Sequence, residues 1–82
     1  MNERALVKIL DPLSTACERF EARVVTWAEP YLTLRLQQPI LVPTVVQVRF
    51  HGRIALGEIQ ECFEAGGEFE IRVQFQDVMS MR

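Results

Sequence analysis

Alternation of apolar and polar residues with a period of two is the feature that most constrains this chain, because it recurs along all 82 residues. It is clearest in residues 68–76, where every second side chain is apolar: Phe69, Ile71, Val73 and Phe75. Successive side chains of a β-strand point to opposite faces, so these four would face a core and their neighbours solvent. The segment is therefore predicted to be a half-buried strand.

Five further segments share this pattern and are predicted to be strands: 5–10, 18–27, 31–36, 45–50 and 53–63. In the second strand, the alternation places Trp27 on the face opposite Val24. Gly57 interrupts the fifth strand and is predicted to mark a bulge or bend.

Turn residues separate the predicted strands. His51-Gly52 forms a tight link, Glu29-Pro30 a turn, and residues 64–67 a glycine-containing hairpin loop. No segment has a helical period. Six short strands with little else would leave long exposed edges unless the sheet closed into a small barrel. We therefore predict a single all-β domain over 1–82, a six-stranded antiparallel barrel with a short tail at 78–82.

Composition narrows the class of protein. Hydrophobic residues make up 49% and charged residues 24%, a balance typical of folded soluble domains. No run approaches the roughly 20 apolar residues that span a bilayer. The first residues lack a secretory pattern, which indicates a cytoplasmic protein. Cys17 and Cys62 are interpreted as free thiols, although whether they form a disulfide depends on geometry that a sequence does not contain.

The net charge of −2 argues against nucleic-acid binding, which depends on Lys and Arg neutralising phosphates. A small nucleic-acid-binding barrel with surface aromatics nevertheless remains a third hypothesis. Lys8 is the only lysine, so the positive charge is nearly all arginine.

No catalytic, metal or cofactor site is predicted. His51 is the only histidine, so one chain cannot form a catalytic triad or a multi-histidine metal site. Its neighbour Gly52 indicates an exposed turn residue. The glutamates between residues 58 and 70 are interpreted as a solvated face, and Gly66-Gly67 precedes a predicted strand instead of a phosphate-binding helix. We therefore expect a protein that is not an enzyme.

From Glu21 onward, the order of features resembles that of a PilZ domain. The resemblance covers some sixty residues and is most specific at the end, in the run Leu56-Gly57-Glu58-Ile59, the Gly66-Gly67 hairpin and the alternating strand Phe69-Glu70-Ile71-Arg72-Val73-Gln74-Phe75. It implies a PilZ-like split barrel and a role in bacterial signalling.

The PilZ family binds cyclic di-GMP through an Arg-x-x-x-Arg segment and an Asp/Asn-x-Ser-x-x-Gly turn. The corresponding turn here is Thr26-Trp27-Ala28-Glu29-Pro30-Tyr31, without the acid, serine or glycine. Arg19 and Arg23 have the arginine spacing but lie inside a predicted strand, and in the pair Arg4 and Lys8 the lysine cannot form a bidentate contact. Cyclic di-GMP binding of the usual kind is therefore not expected.

Two hypotheses about function follow. Members without these motifs are thought to act through protein contacts, so the first is an interaction module that binds a partner protein or a second copy. Aromatic and arginine side chains are common at interfaces, which makes Trp27, Tyr31, Arg23 and Arg35 the candidate surface. The other interpretation of Trp27 is that it packs on the barrel rim. The second hypothesis is a cyclic di-GMP sensor with an altered site at Arg4, Lys8, Arg19 and Arg23.

Overall fold

The computed structural model describes residues 3–10, 19–40 and 42–80, and this part of the chain consists of strands and turns without a helix. The strands, in chain order, are β1 (Glu3–Ile9), β2 (Arg19–Ala28), β3 (Tyr31–Leu36), β4 (Thr44–Phe50), β5 (Arg53–Ala65) and β6 (Glu68–Ser80). All six predicted strands are present, and the bounds predicted for the third are those observed. Cys17 lies outside the described residues.

The strands form a closed antiparallel barrel in the order β1-β2-β3-β6-β5-β4. The predicted all-β, six-stranded antiparallel barrel is therefore confirmed. Alternate residues of each strand point inward and form one apolar core, whose largest fully buried side chains are Leu32, Leu34, Ile59, Ile71, Val7, Val46, Val48 and Val73. No polar or charged residue among those described is buried. The core therefore contributes hydrophobic stabilisation alone.

Pairing between β3 and β6 closes the barrel. Leu34 lies opposite Ile71 and Leu32 opposite Val73, and all four side chains are fully buried. The two strands are more than thirty residues apart in the sequence, so the barrel is closed by long-range contacts.

A β-bulge in β2 changes the direction of Trp27. Val24 pairs with Leu34 and Thr26 with the next residue, Thr33, so Val25 is an extra residue in β2. An extra residue reverses the side-chain alternation that follows it. Trp27 therefore packs against the core, whereas Thr26 is exposed. The prediction that Trp27 faces away from Val24 was wrong for this reason.

A second bulge lies in β6 opposite Gly57. Gly57 pairs with Phe75 and Leu56 with Asp77, which leaves Gln76 as the extra residue. The pairing is therefore irregular at Gly57, as predicted, but the extra residue lies in β6 and not in the fifth strand. β5 has its own extra residue at Gln60, because Ile59 pairs with Val73 and Glu61 with Arg72.

Beyond the bulge at Gln76, β6 continues to Ser80, and Val78 packs against the core opposite Ala55. Residues 78–80, which were predicted to belong to a tail, are therefore part of β6.

The β5–β6 hairpin is longer than its neighbours at both ends. β3 pairs with β6 only over residues 69–74, and β4 pairs with β5 only over residues 53–59. Among the described residues, each end of this hairpin therefore has a strand edge without a neighbouring strand: residues 76–80 of β6 and residues 60–65 of β5. Residues 3–5 of β1 and the two ends of β2 also pair on one side only.

Candidate interaction surface

Basic side chains form cross-strand pairs on the outer surface of β1 and β2. Arg4 lies opposite Arg23, and Lys8 lies opposite Arg19. Their inward-facing neighbours Ala5, Val7 and Ala22 are buried, so all four basic residues face outward. These are the residues of the predicted altered nucleotide site, and the structure places them on one face.

Arg23 and Arg35 are neutralised by carboxylates. They lie opposite each other on β2 and β3, and each donates a hydrogen bond to a glutamate of β6. Arg23 donates to Glu68, and Arg35 Nη2 donates to Glu70 Oε1 at 3.0 Å. Gln37 also donates to Glu68, at 2.6 Å. These two arginines therefore connect β2 and β3 to β6 and are not free cations.

On β1 to β4, four other cations form no ion pair with any described residue: Arg4, Lys8, Arg19 and Arg49. They lie on the three adjacent strands β4, β1 and β2, and Lys8, Arg19 and Arg49 surround one shallow depression of about 20 Å³. This volume is far below the ~300 Å³ or more of typical small-molecule pockets. The depression among these three cations is therefore too small for a small-molecule ligand.

Charge is segregated around the barrel. Strands β1 to β4 carry six Lys or Arg residues and two glutamates, whereas β5 and β6 carry two arginines and six Asp or Glu residues. Since β4, β1, β2 and β3 are contiguous in the barrel, the first group forms one side, called the basic side below. β5 and β6 form the acidic hairpin. A net charge of −2 conceals this division.

Trp27 covers one end of the barrel together with residues of the β4–β5 turn. Its ring lies 5.1 Å from that of Phe50 and 5.9 Å from that of His51, and the Arg53 guanidinium is 4.4 Å from its centroid. The structure therefore places Trp27 at the rim of the core. Its indole N–H is buried and has no hydrogen-bond partner among the described residues. We call this end the Trp27 end.

Tyr31 has a different environment. Its side chain is 39% exposed and faces outward, where the Arg72 guanidinium lies 5.1 Å from the ring centroid. Arg23 and Arg35 lie further along their strands, outside the Trp27 end. The four residues of the candidate surface thus occupy three separate environments and do not form one patch.

His51 lies in an exposed turn with a φ of 50°, as its position beside Gly52 predicted. Glu3 Oε2 accepts a hydrogen bond from the His51 backbone N–H at 2.8 Å, and His51 Nδ1 lies 2.7 Å from the same oxygen. The link ties the start of β1 to the β4–β5 turn. Its residues are 48 positions apart, so local sequence patterns could not reveal it.

A groove lies beside the Trp27 end, between the β2–β3 turn and β6. Its volume is about 480 Å³, and its lining includes Glu29, Pro30, Arg53, Phe75, Asp77 and Val78. Arg53 lines the groove and also lies over the Trp27 ring. Sequence reasoning missed this feature because the groove exists only where β6 extends beyond β3.

No metal-binding cluster is found in the part of the chain that the structure describes. Within it, no three His, Cys, Asp or Glu side chains are close enough to hold a metal ion. Cys62 is a half-buried free thiol. None of the described segments forms a helix long and apolar enough to cross a membrane.

Comparison with known proteins identifies no relative: no family model, no curated protein and no solved structure matches the chain.

Proposed function

We propose that this chain is a non-enzymatic, PilZ-like interaction module of bacterial signalling, located in the cytoplasm, whose basic side docks on an acidic surface of a partner protein. The segregation of charge between the basic side and the acidic hairpin is the observation that carries this proposal.

Arg4, Lys8, Arg19 and Arg49, which pair with no described residue, determine the kind of partner. Adjacent strands are about 4.8 Å apart, so cations on β4, β1 and β2 form a compact array. Such an array attracts a molecular surface of opposite charge and accelerates the encounter with that partner. Because the depression among Lys8, Arg19 and Arg49 is too small to hold a metabolite, a broad acidic protein surface fits it better.

The second candidate function is a cyclic di-GMP sensor with an altered site. A pocket of about 220 Å³ favours it, since Arg4, Arg23 and Arg35 all line this pocket. However, the guanidinium groups of Arg23 and Arg35 already form ion pairs with Glu68 and Glu70. A nucleotide phosphate would have to displace these carboxylates, which makes this the weaker proposal.

Titration calorimetry at low salt tests the first function, with a poly-glutamate peptide as the acidic probe. We expect saturable binding that weakens about tenfold in the double variant Lys8→Gln/Arg49→Gln, because both cations contribute to the same surface. Arg72→Gln is the matched control, since Arg72 lies on β6 and pairs with Glu61 at 3.3 Å. Absence of binding, or equal weakening by the control, would contradict the proposal.

The same titration with cyclic di-GMP separates the two functions. Saturable micromolar binding that Arg4→Gln abolishes would establish the second function in place of the first. A filter-binding assay with single-stranded DNA at low salt should show no retention; retention that depends on Lys8 and Arg49 would instead assign the basic side to nucleic acid.

A further inference from the structure

The outer edge of β6 has no strand beside it at the Trp27 end. The last β6 residue paired with β3 is Gln74, opposite Tyr31, and the Phe75 N–H then donates to the Pro30 carbonyl at 2.7 Å. In the described part of the chain, residues 76–80 pair only with β5. The groove of about 480 Å³ runs along this edge. It therefore offers both unpaired backbone groups and room for a strand.

Beyond the bulge at Gln76, which lies where this edge begins, residues 77–80 lack the side chains that usually prevent a strand from pairing with another molecule. Exposed edges are commonly protected by lysine, proline or inward-pointing charge. Residues 76–80 contain one charged residue, Asp77, and no Lys, Arg or Pro. Met79 is 51% exposed on the outer face, opposite Ile54, which is itself only half buried. The edge thus borders an apolar strip.

We infer that this edge binds the same edge of a second copy, so that the two β6 strands pair antiparallel about a two-fold axis at Met79. The two Met79 side chains then face each other and cover apolar surface, with Ile54 beside them. Such an interface uses one surface on both copies and closes at the dimer.

Electrostatics permits this pairing. With the axis at Met79, the Asp77 residues of the two copies are four positions apart along the strands, about 13 Å. The Debye length at physiological ionic strength is about 8 Å, so their repulsion is largely screened. No other charged residue lies within 76–80.

The free edge at the other end of the hairpin, in β5, is less well suited to pairing with a second copy. Residues 60–65 of β5 include Glu61 and Glu64. Pairing of two copies centred on this edge, between Cys62 and Phe63, would place Glu61 of each copy opposite Glu64 of the other. Like charges directly opposite are destabilising in a sheet. Of the two free edges of the hairpin, the β6 edge is therefore better suited to pairing with a second copy.

Disulfide trapping of the full chain tests the inference. Cys17 and Cys62 are first replaced by serine, and Met79→Cys or Phe63→Cys is then introduced. Phe63 is the matched control because it is 49% exposed on the other end of the hairpin. We expect mild oxidation to cross-link Met79→Cys into a dimer and to leave Phe63→Cys monomeric, since paired Cα atoms lie about 4.5–5.5 Å apart, within disulfide range.

Light scattering of the chain without these changes provides the second measurement. A concentration-dependent dimer is expected, and Met79→Lys should weaken it about tenfold or more while the β-sheet circular dichroism stays unchanged. A monomer at all concentrations, equal cross-linking through Phe63→Cys, or open-ended salt-sensitive oligomers built from basic and acidic surfaces would overturn the inference. The basic side is not part of this edge, so its binding to poly-glutamate fails or succeeds independently.

Discussion

Trp27 and Tyr31 are four residues apart in the sequence but have different physical roles. Trp27 packs on Phe50 and lies beneath the Arg53 guanidinium, whereas Tyr31 faces outward with the Arg72 guanidinium over its ring. A large aromatic side chain at the core boundary contributes burial and ring contacts together. The stability of the Trp27 end therefore depends on the first residue far more than on the second.

We expect Trp27→Ala to lower the free energy of unfolding by about 3 kcal/mol, the lower end of the range for truncating a packed aromatic residue. Tyr31→Ala should cost less than about 1 kcal/mol because its ring is largely outside the core. Urea denaturation followed by circular dichroism measures both values. Equal losses for the two variants would show that Tyr31 is also part of the core.

Gly57 provides a second test at this scale. A Cβ atom at this position would overlap the carbonyl oxygen of Gln74 and lie 3.0 Å from Val73 Cγ1. Since the overlap is with backbone, Gly57→Ala should destabilise the barrel by roughly 1–3 kcal/mol. Glu58→Ala is the adjacent control, because it removes only a hydrogen bond from Gln60 and should change stability by less than about 1 kcal/mol. The same denaturation experiment distinguishes them, and similar losses would contradict this account.

Among the strands, β3 and β6 close the barrel, and their contact depends on a few inward-facing side chains. Leu34 and Ile71 lie opposite each other and are fully buried, while Thr33 on the same strand faces outward opposite Arg72. Closure of a sheet removes its exposed edges only if this pairing is maintained. Its apolar contacts therefore determine whether the barrel remains shut.

Leu34→Ala should lower the free energy of unfolding by about 3 kcal/mol, because it leaves a cavity at the seam. A domain of this size has a total stability near the low end of 5–15 kcal/mol, so the variant should also melt at a markedly lower temperature. Thr33→Ala serves as the control and should melt close to the unchanged chain. If both variants melted alike, the seam would not carry the stability assigned to it.

The strands also show how far the sequence predicts this fold. Alternation predicts them well, because the period of two is a property of each strand by itself. It fails at Val25, Gln60 and Gln76, where one extra residue reverses the alternation that follows. Both the direction of Trp27 and the length of β6 were mispredicted for this single reason. The ion pair of Arg35 with Glu70 could not be predicted either, because the two residues are 35 positions apart and meet only through strand pairing.

The barrel as a whole is electrically asymmetric. Six basic residues lie on β1 to β4 and six acidic residues on β5 and β6, and the two groups meet at the Arg23–Glu68 and Arg35–Glu70 ion pairs. A partner or a charged matrix therefore encounters a local potential that differs in sign from the average.

This asymmetry predicts unusual chromatographic behaviour. At pH 7 and low salt the chain should be retained on a cation exchanger although its net charge is −2, because the basic side can face the matrix. Changing Arg4, Lys8, Arg19 and Arg49 to glutamine should abolish the retention. A variant with Arg53 and Arg72 changed to glutamine should still be retained, and its passage through the column unbound would show that the basic side is not the surface responsible.

The position of the single tryptophan makes its fluorescence a probe of the barrel and of the groove. Arg53 stacks on the indole and also lines the groove beside β6, so any molecule that enters the groove changes the surroundings of the fluorophore. Emission from this one side chain should therefore respond to unfolding and to occupation of the groove. Dilution of a concentrated sample, followed by fluorescence, would then report separation of the two copies without an attached dye.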